Sequence, residues 1–108
     1  MCKLKHRRLL DAAHIIQDNQ PDGEPIIQNG LSLCKIHHAA YDAKIIGVRP
    51  DYIIEVKKEI LDETDGPMLQ HGLKELHHHP LIMPIRHKDY PDPSRLERRY
   101  NEFVDSNQ

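Results

Sequence analysis

The 108-residue chain lacks the features that mark membrane proteins and disulfide-rich secreted proteins. Two cysteines are too few for a disulfide scaffold, and in a reducing compartment they indicate metal ligands or buried thiols. Apolar runs such as Ile53-Ile54 are far shorter than the ~20 residues that a membrane span needs. No apolar segment follows the basic N-terminus, so we expect no signal peptide, no membrane partner and a cytoplasmic protein.

The chain also lacks a strong excess of charge. A formal net charge of −2 argues against a protein that coats nucleic acid by bulk electrostatics. Basic residues nevertheless cluster near both ends: Lys3, Lys5, Arg7 and Arg8, then Arg95, Arg98 and Arg99. These clusters could contact a phosphate backbone, although solvated faces are the simpler interpretation of charge alone.

The length predicts one domain over residues 1–108. In its first part, apolar patterns predict a strand over 9–16 and a short alternating strand over 31–34. Asn, Asp, Gly and Pro residues between them predict a loop. The composition of 35–43 predicts a short helix that ends before Gly47 and Pro50.

The second part of the chain predicts a hairpin and two helices. The hairpin joins 45–48 to 52–56 through a turn in which Pro50 suits the second position of type I. A short helix is predicted over 68–76, and a loop with many prolines follows. A final helix can be capped by Asp92 or by Ser94, with Ser94 and Glu97 as a capping box. Its apolar face is predicted to contain Leu96, Tyr100, Phe103 and Val104.

Four residues within a span of thirty could carry metal-assisted hydrolysis: His14, Asn29, His38 and Asp42. His38 and Asp42 are four residues apart on the predicted helix, so their side chains can converge on one ion. An imidazole and a carboxylate with open positions suit Mg²⁺ or Mn²⁺, and an imidazole such as His14 can accept a proton near neutral pH. Taken singly, these residues are more simply a strand-end histidine, a turn and an exposed ion pair.

Together, residues 10–16 (LDAAHII) and 29–42 (NGLSLCKIHHAAYD) resemble the HNH endonuclease signature, close to the HNH domains of restriction endonucleases. The resemblance implies an α+β fold of the ββα-metal (His-Me finger) type, with a core over about 9–43. The extension over 44–108 would add the hairpin and the C-terminal helices. The implied activity is metal-dependent hydrolysis of DNA phosphodiester bonds, as the nuclease part of a restriction-type system.

The resemblance also implies a role for each site residue. His14 would be the general base, and Asn29 would brace the loop and orient His14. His38 and Asp42 would bind Mg²⁺ or Mn²⁺, with Ni²⁺ or Zn²⁺ as alternatives. Many relatives place a ligating Asp directly before the first His, where this chain has Ala13, so Asp11 is a candidate substitute that acts through water.

Relatives often hold a structural zinc with two cysteine pairs, which this chain matches in part. Cys34 and His37 occupy the second pair, and Cys2 occupies the second position of the first pair. The missing cysteine would lie before Met1, so we expect a chain truncated at its N-terminus. The structural zinc site is then incomplete unless His6 or water completes it, because such sites normally have four ligands.

DNA is the expected partner. Phosphate contacts are expected from five basic residues: Lys3, Lys5, Arg7, Arg8 and Lys35. A missing upstream recognition domain or partner subunit would select the target, and a homodimer would allow cleavage of both strands. Two alternatives remain open, a non-catalytic DNA-binding or structural remnant and a metal-binding domain unrelated to nucleic acid. The histidines outside the signature are interpreted as solvated loop residues: His71, His77, His78, His79 and His87.

Overall fold

Two antiparallel strands and the helix that follows them form the N-terminal part of the fold. In the computed structural model, which describes residues 1–64 and 66–107, β1 is Leu10–His14 and β2 is Gly30–Cys34. The helix α1, Lys35–Asp42, begins directly after β2. The predicted α+β class and its ββα core are therefore confirmed, with a first strand shorter than expected.

Strand alternation decides which side chains of β1 meet α1. Ala13 pairs with Leu31 and Asp11 pairs with Leu33, and successive side chains of a strand point to opposite faces. Ala13 and both leucines are buried in the core beside residues of α1. Asp11 therefore lies on the same face as Ala13, whereas His14 lies on the opposite one.

A second hairpin follows α1. It joins β3, Ile46–Val48, to β4, Ile54–Val56, in an antiparallel pair. The amide of Tyr52 donates to the carbonyl of Arg49 at 2.9 Å, which places the turn at the expected residues. Both strands are shorter than the sequence pattern predicts.

Three further helices complete the described chain: α2 over Lys58–Leu61, α3 over Pro67–Gly72 and α4 over Pro93–Ser106. The sequence did not predict α2. The single helix expected over 68–76 is wrong, because the backbone leaves the helical conformation at Leu73 and a separate 3₁₀ turn covers Lys74–Leu76. No helix in the described residues is long and apolar enough to cross a membrane.

The helix α4, Pro93–Ser106, is capped by Asp92 and not by Ser94. The Asp92 carboxylate accepts a hydrogen bond from the Ser94 amide at 3.3 Å, and Pro93 occupies the first helical position, which needs no amide donor. The hydroxyl of Ser94 itself donates to Asp92 at 2.9 Å. The predicted capping box of Ser94 and Glu97 is therefore wrong.

The C-terminal helix packs directly on β3. Leu96 and Phe103 are buried on one face of α4, as the sequence predicts. A Cβ atom at Gly47 would lie 2.6 Å from the Phe103 ring, so glycine allows the helix its close approach to the strand. This contact fixes the C-terminal helix against the rest of the core.

We expect Gly47→Ala to lower the free energy of unfolding by about 1–3 kcal/mol, because the new methyl group would overlap the Phe103 ring. Urea denaturation measures the change. Gly30→Ala is the matched control, since the nearest atom to a Cβ there lies at an ordinary 3.6 Å. Equal stability of the two variants would contradict the direct packing of α4 on β3.

Candidate active site

His14 ends β1 at the edge of an open groove. Its side chain is 34% exposed, and Nε2 lies 2.8 Å from a carboxylate oxygen of Asp18, which is itself 77% exposed. Arg7 lines the same groove, which has a volume of about 570 Å³. Small residues of both strands, Ala12, Gly30 and Ser32, also line it. The imidazole is thus accessible to a ligand that enters the groove.

Asn29 fixes the chain directly after His14. Its side-chain oxygen accepts from the Ile16 amide at 2.9 Å, and its side-chain nitrogen donates to the carbonyls of Ile16 and Glu24 at 3.0 Å. The backbone carbonyl of Asn29 accepts from the Ile15 amide at 2.9 Å. The Asn29 side-chain oxygen therefore bonds Ile16, so its influence on His14 passes through the backbone.

His38 lies between two carboxylates. Its Nδ1 is 2.9 Å from Asp11 Oδ2, and its Nε2 is 3.1 Å from Asp42 Oδ2. Lys35 binds the other oxygen of Asp11 at 2.8 Å, and the hydrogen bonds from Lys35 and His38 lower the pKa of Asp11.

The ionised state of Asp11 sets the tautomer of His38. An ionised carboxylate can only accept, so Nδ1 of His38 carries the proton that is shared with Asp11. In the neutral imidazole, the lone pair then lies on Nε2, on the side of Asp42. The arrangement resembles the carboxylate–histidine pairs that orient metal-binding imidazoles in proteins.

A buried arginine of α4, Arg99, contacts both the end of β1 and the end of α1. One terminal nitrogen of Arg99 donates to Asp42 Oδ1 at 2.9 Å and to the Tyr41 carbonyl at 3.1 Å. The other donates to the carbonyls of Ile15 at 2.9 Å and His14 at 3.3 Å. The guanidinium carbon lies 4.1 Å from the centre of the Tyr41 ring.

This role of Arg99 was not predicted from the sequence, in which the residue belongs to a basic cluster near the C-terminus. The signal that could have found it is helical spacing, because Arg99 lies three residues after Leu96 and four before Phe103. The neighbouring arginines are also engaged within the chain. Arg95 contacts Glu24 at 3.1 Å, and Arg98 contacts Asp22 at 3.2 Å.

A separate group of metal-binding residue types lies at the start of α1. The ligand atoms of Cys2, Cys34 and His37 lie within 4.8 Å of one another, and both cysteines are free thiols. His37 Nε2 is 2.7 Å from the carbonyl of Gly72, which can only accept, so Nε2 carries the proton. His37 Nδ1, 3.1 Å from Cys34 Sγ, then presents its lone pair towards the two thiols. These three side chains could therefore bind a metal.

A sequence model of a family described as HNH endonuclease matches residues 1–49. This part of the chain is therefore similar to the HNH endonuclease family. No curated protein and no solved structure matches the chain. The match covers β1, β2, α1 and β3, so Arg99 lies outside the part of the chain that matches the HNH endonuclease family.

The basic residues that are predicted to contact DNA lie at the surface of residues 1–49, the segment that matches the family. Lys3, Lys5, Arg7 and Arg8 are all exposed. The ammonium of Lys35 is also exposed but lies 2.8 Å from Asp11, which offsets its charge. The basic N-terminal segment is therefore the better candidate for contacts with a polyanion.

The five histidines between residues 71 and 87 differ from one another in their environments. His78 and His79 are exposed, as the solvated-loop interpretation requires. His77 is half-buried, and its Nδ1 accepts a hydrogen bond from the Val56 amide at 2.9 Å. Its burial, and to a smaller extent the nearby His78, lowers the pKa of His77. His71 pairs with Glu75 at 2.6 Å, and His87 packs on Tyr90. His77 therefore supports the fold and is not a simple loop residue.

We expect Asn29→Ala to lower the free energy of unfolding by about 2–4 kcal/mol, because it leaves the backbone groups of Ile16 and the carbonyl of Glu24 without their partners. Chemical denaturation measures this change. Gln28→Ala is the neighbouring control, since it removes one exposed hydrogen bond to Lys88, and it should lose no more than about 1 kcal/mol. Equal losses in the two variants would show that Asn29 does not brace the loop.

Proposed function

We propose that the chain is a metal-dependent endonuclease that hydrolyses DNA phosphodiester bonds, as the nuclease part of a restriction-type system. The observation that carries the proposal is the arrangement of Asp11, His38 and Asp42 within the segment that matches the HNH endonuclease family. His38 is held by Asp11 on one side and offers its lone pair beside Asp42 on the other. This is an arrangement that suits a ligand pair for a divalent ion.

The donor atoms fit one divalent ion. Two ligands at about 2.1 Å from an octahedral ion, at right angles, lie about 3.0 Å apart, and His38 Nε2 lies 3.1 Å from Asp42 Oδ2. The two side chains are 28% and 45% exposed, which leaves room for water and a phosphate. Mg²⁺ or Mn²⁺ suits this mixed site best, with Ni²⁺ or Zn²⁺ as alternatives.

Asp11 would act differently from the ligand that relatives place next to the first histidine. Its carboxylate contacts Nδ1 of His38, whereas Asp42 contacts Nε2 on the other side of the ring. We therefore assign Asp11 to the orientation of His38 and not to the ion itself. The usual ligand position is occupied by Ala13, which has no ligand atom. Asp11 lies two residues before it on the same face of β1 and supports the site from there.

His14 would accept the proton of the attacking water. Its imidazole is accessible from the groove, and its backbone is held next to Asn29. The Asp18 carboxylate at 2.8 Å can hold one ring nitrogen and so orient the other. A general base of this kind contributes about 10²–10⁴-fold to the rate. A divalent ion bound at His38 and Asp42 supplies neutralisation of charge on the phosphate and on the leaving oxygen.

The basic N-terminal segment would bind the DNA backbone. Arg7 lines the same groove as His14, and Lys3, Lys5 and Arg8 are exposed along the adjoining chain. Lys35 would add a weaker contact because Asp11 already pairs with it. Target selection would then come from an upstream domain or a partner subunit. A homodimer would allow cleavage of both DNA strands. The two free thiols fit a cytoplasmic location.

Plasmid nicking tests this function directly. With Mn²⁺ or Mg²⁺, we expect the purified chain to nick supercoiled DNA and a chelator to stop it. His14→Ala should lower the rate by about 10²–10⁴-fold because the general base is lost. His38→Ala should abolish nicking because it removes a ligand, and His79→Ala, an exposed histidine outside the site, should match the natural chain.

Other outcomes identify the alternatives. Salt-sensitive DNA binding without cleavage by any ion would favour a non-catalytic remnant, which Ala13 at the usual ligand position also favours. Neither DNA binding nor cleavage would leave a metal-binding domain unrelated to nucleic acid. Nicking that survives in both His14→Ala and His38→Ala would show that the activity belongs elsewhere.

We propose a structural zinc at the second cluster, held by Cys2, Cys34 and His37. The fourth position would be filled by water or another residue. His6 Nδ1 already accepts from the Arg8 amide at 3.3 Å, so this nitrogen is engaged. The thiolates and the imidazole lone pair are ligand types that zinc prefers.

Zinc content tests the second cluster. We expect about one zinc per chain after purification, a thiolate-to-cobalt absorption band after Co²⁺ exchange, and loss of both in Cys34→Ser. His38→Ala is the matched control, because it changes the adjacent residue of α1 and should retain the zinc. Equal zinc content in Cys34→Ser and the natural chain would exclude this site.

A further inference from the structure

We propose that Arg99 is a positioning residue of the nuclease site, which makes α4 a working part of that site. The inference rests on the proposed function, because it assigns Asp42 and His14 to the reaction. Arg99 lies in Pro93–Ser106, outside the part of the chain that matches the HNH endonuclease family. It extends the active site into the C-terminal half of the protein.

The contacts of Arg99 span the two ends of the signature. Its guanidinium binds the carbonyls of His14 and Ile15 at the end of β1 through one terminal nitrogen. Through the other it binds Asp42 and the carbonyl of Tyr41 at the end of α1. One rigid planar group therefore sets the position of the candidate base's backbone relative to the candidate ligand.

Arg99 also sets the orientation of the Asp42 carboxylate. Its nitrogen holds Oδ1 at 2.9 Å, so Oδ2 is the oxygen left beside His38 Nε2. The Asp42 side chain is 45% exposed, so its contacts with Arg99 and His38 are needed to restrict its rotation. Groups that hold a metal ligand in this way commonly change metal affinity when they are replaced.

A purely structural role explains the burial of this arginine poorly. Hydrophobic residues of similar volume often replace buried ion pairs without loss of stability. The helix already has Leu96 and Phe103 buried on the same face. A guanidinium at this position adds directed hydrogen bonds, which Leu96 and Phe103 cannot make, and these bonds converge on the site.

The neighbouring arginines support the same end of the site. Arg95 and Arg98 bind the loop between His14 and Asn29, through Glu24 and Asp22. Both contacts are largely exposed and contribute little alone. They place α4 alongside the loop, and Arg99 is the member of the series that reaches the site residues.

The variant Arg99→Lys separates geometry from charge. A lysine keeps the positive charge but lacks the planar fork, so it cannot bind both ends of the site at once. We expect the Kd for Mn²⁺, measured by calorimetry, to rise by about 10–100-fold. At saturating Mn²⁺, plasmid nicking should also remain below that of the natural chain.

Phe103→Leu is the matched control for the attachment of α4. It weakens the packing of the same helix on Gly47 but touches none of the site residues. We expect it to lower stability and to leave the Kd for Mn²⁺ within about twofold of the natural value. An equal rise of the Kd in both variants would reduce Arg99 to a structural residue and overturn the proposal.

The remaining outcomes are separated by Asp42→Ala. A natural Kd in Arg99→Lys, together with loss of binding in Asp42→Ala, overturns the positioning role alone. Absence of Mn²⁺ binding in the natural chain, or binding that is unchanged in Asp42→Ala, overturns the proposed metal site and the role of Arg99 with it. If Arg99→Lys does not fold, NMR spectroscopy of the natural chain replaces it as the test. Mg²⁺ should shift the Nε–Hε signal of Arg99, and an unshifted signal overturns the proposal.

Discussion

A single buried guanidinium joins the three parts of the chain that build the candidate site. Arg99 binds the end of β1, the end of α1 and, through its own helix, the surface of β3. A cation in this place needs several well-directed acceptors, because an unpaired buried charge is strongly unfavourable. The carbonyls of Ile15 and Tyr41 and the carboxylate of Asp42 meet that need. The position of the candidate ligand Asp42 is therefore linked to the packing of α4, which lies outside residues 1–49, the family segment.

The contact between Asp11 and His38 shows how strand geometry can compensate for a missing side chain. A step of two residues along β1 leads from Ala13 to Asp11 without a change of face. From that position the carboxylate meets the other nitrogen of His38, so it orients the imidazole instead of joining Asp42. The proposed site would then have two candidate ligands, His38 and Asp42, with the proton of the imidazole held on Nδ1 by Asp11. A site of this kind leaves more positions for water and phosphate than a three-ligand site does.

The sequence predicts the elements with strong local signals and misses contacts between distant parts of the chain. The strands, the hairpin turn and α4 follow from periodicity, proline and capping residues, which act over a few positions, and α1 follows from local composition. The break at Leu73 follows directly after Gly72, a helix stop signal that the prediction of one helix over 68–76 did not use. Arg99 and Asp42 are 57 residues apart, and no local pattern records their meeting. The candidate ligands were found because they share one helix, whereas the residue that holds one of them was not.

The C-terminal extension supports both candidate metal centres, at opposite ends of α1. His37 and His38 are adjacent, yet a rotation of about 100° per residue turns His37 into the interior and His38 towards the surface. The carbonyl of Gly72 holds His37 at the start of the helix, and Arg99 holds Asp42 at its end. Both supports come from residues beyond the family segment. The ββα core alone would leave each of these two side chains with one fewer partner, so the extension is required to complete the geometry of both centres.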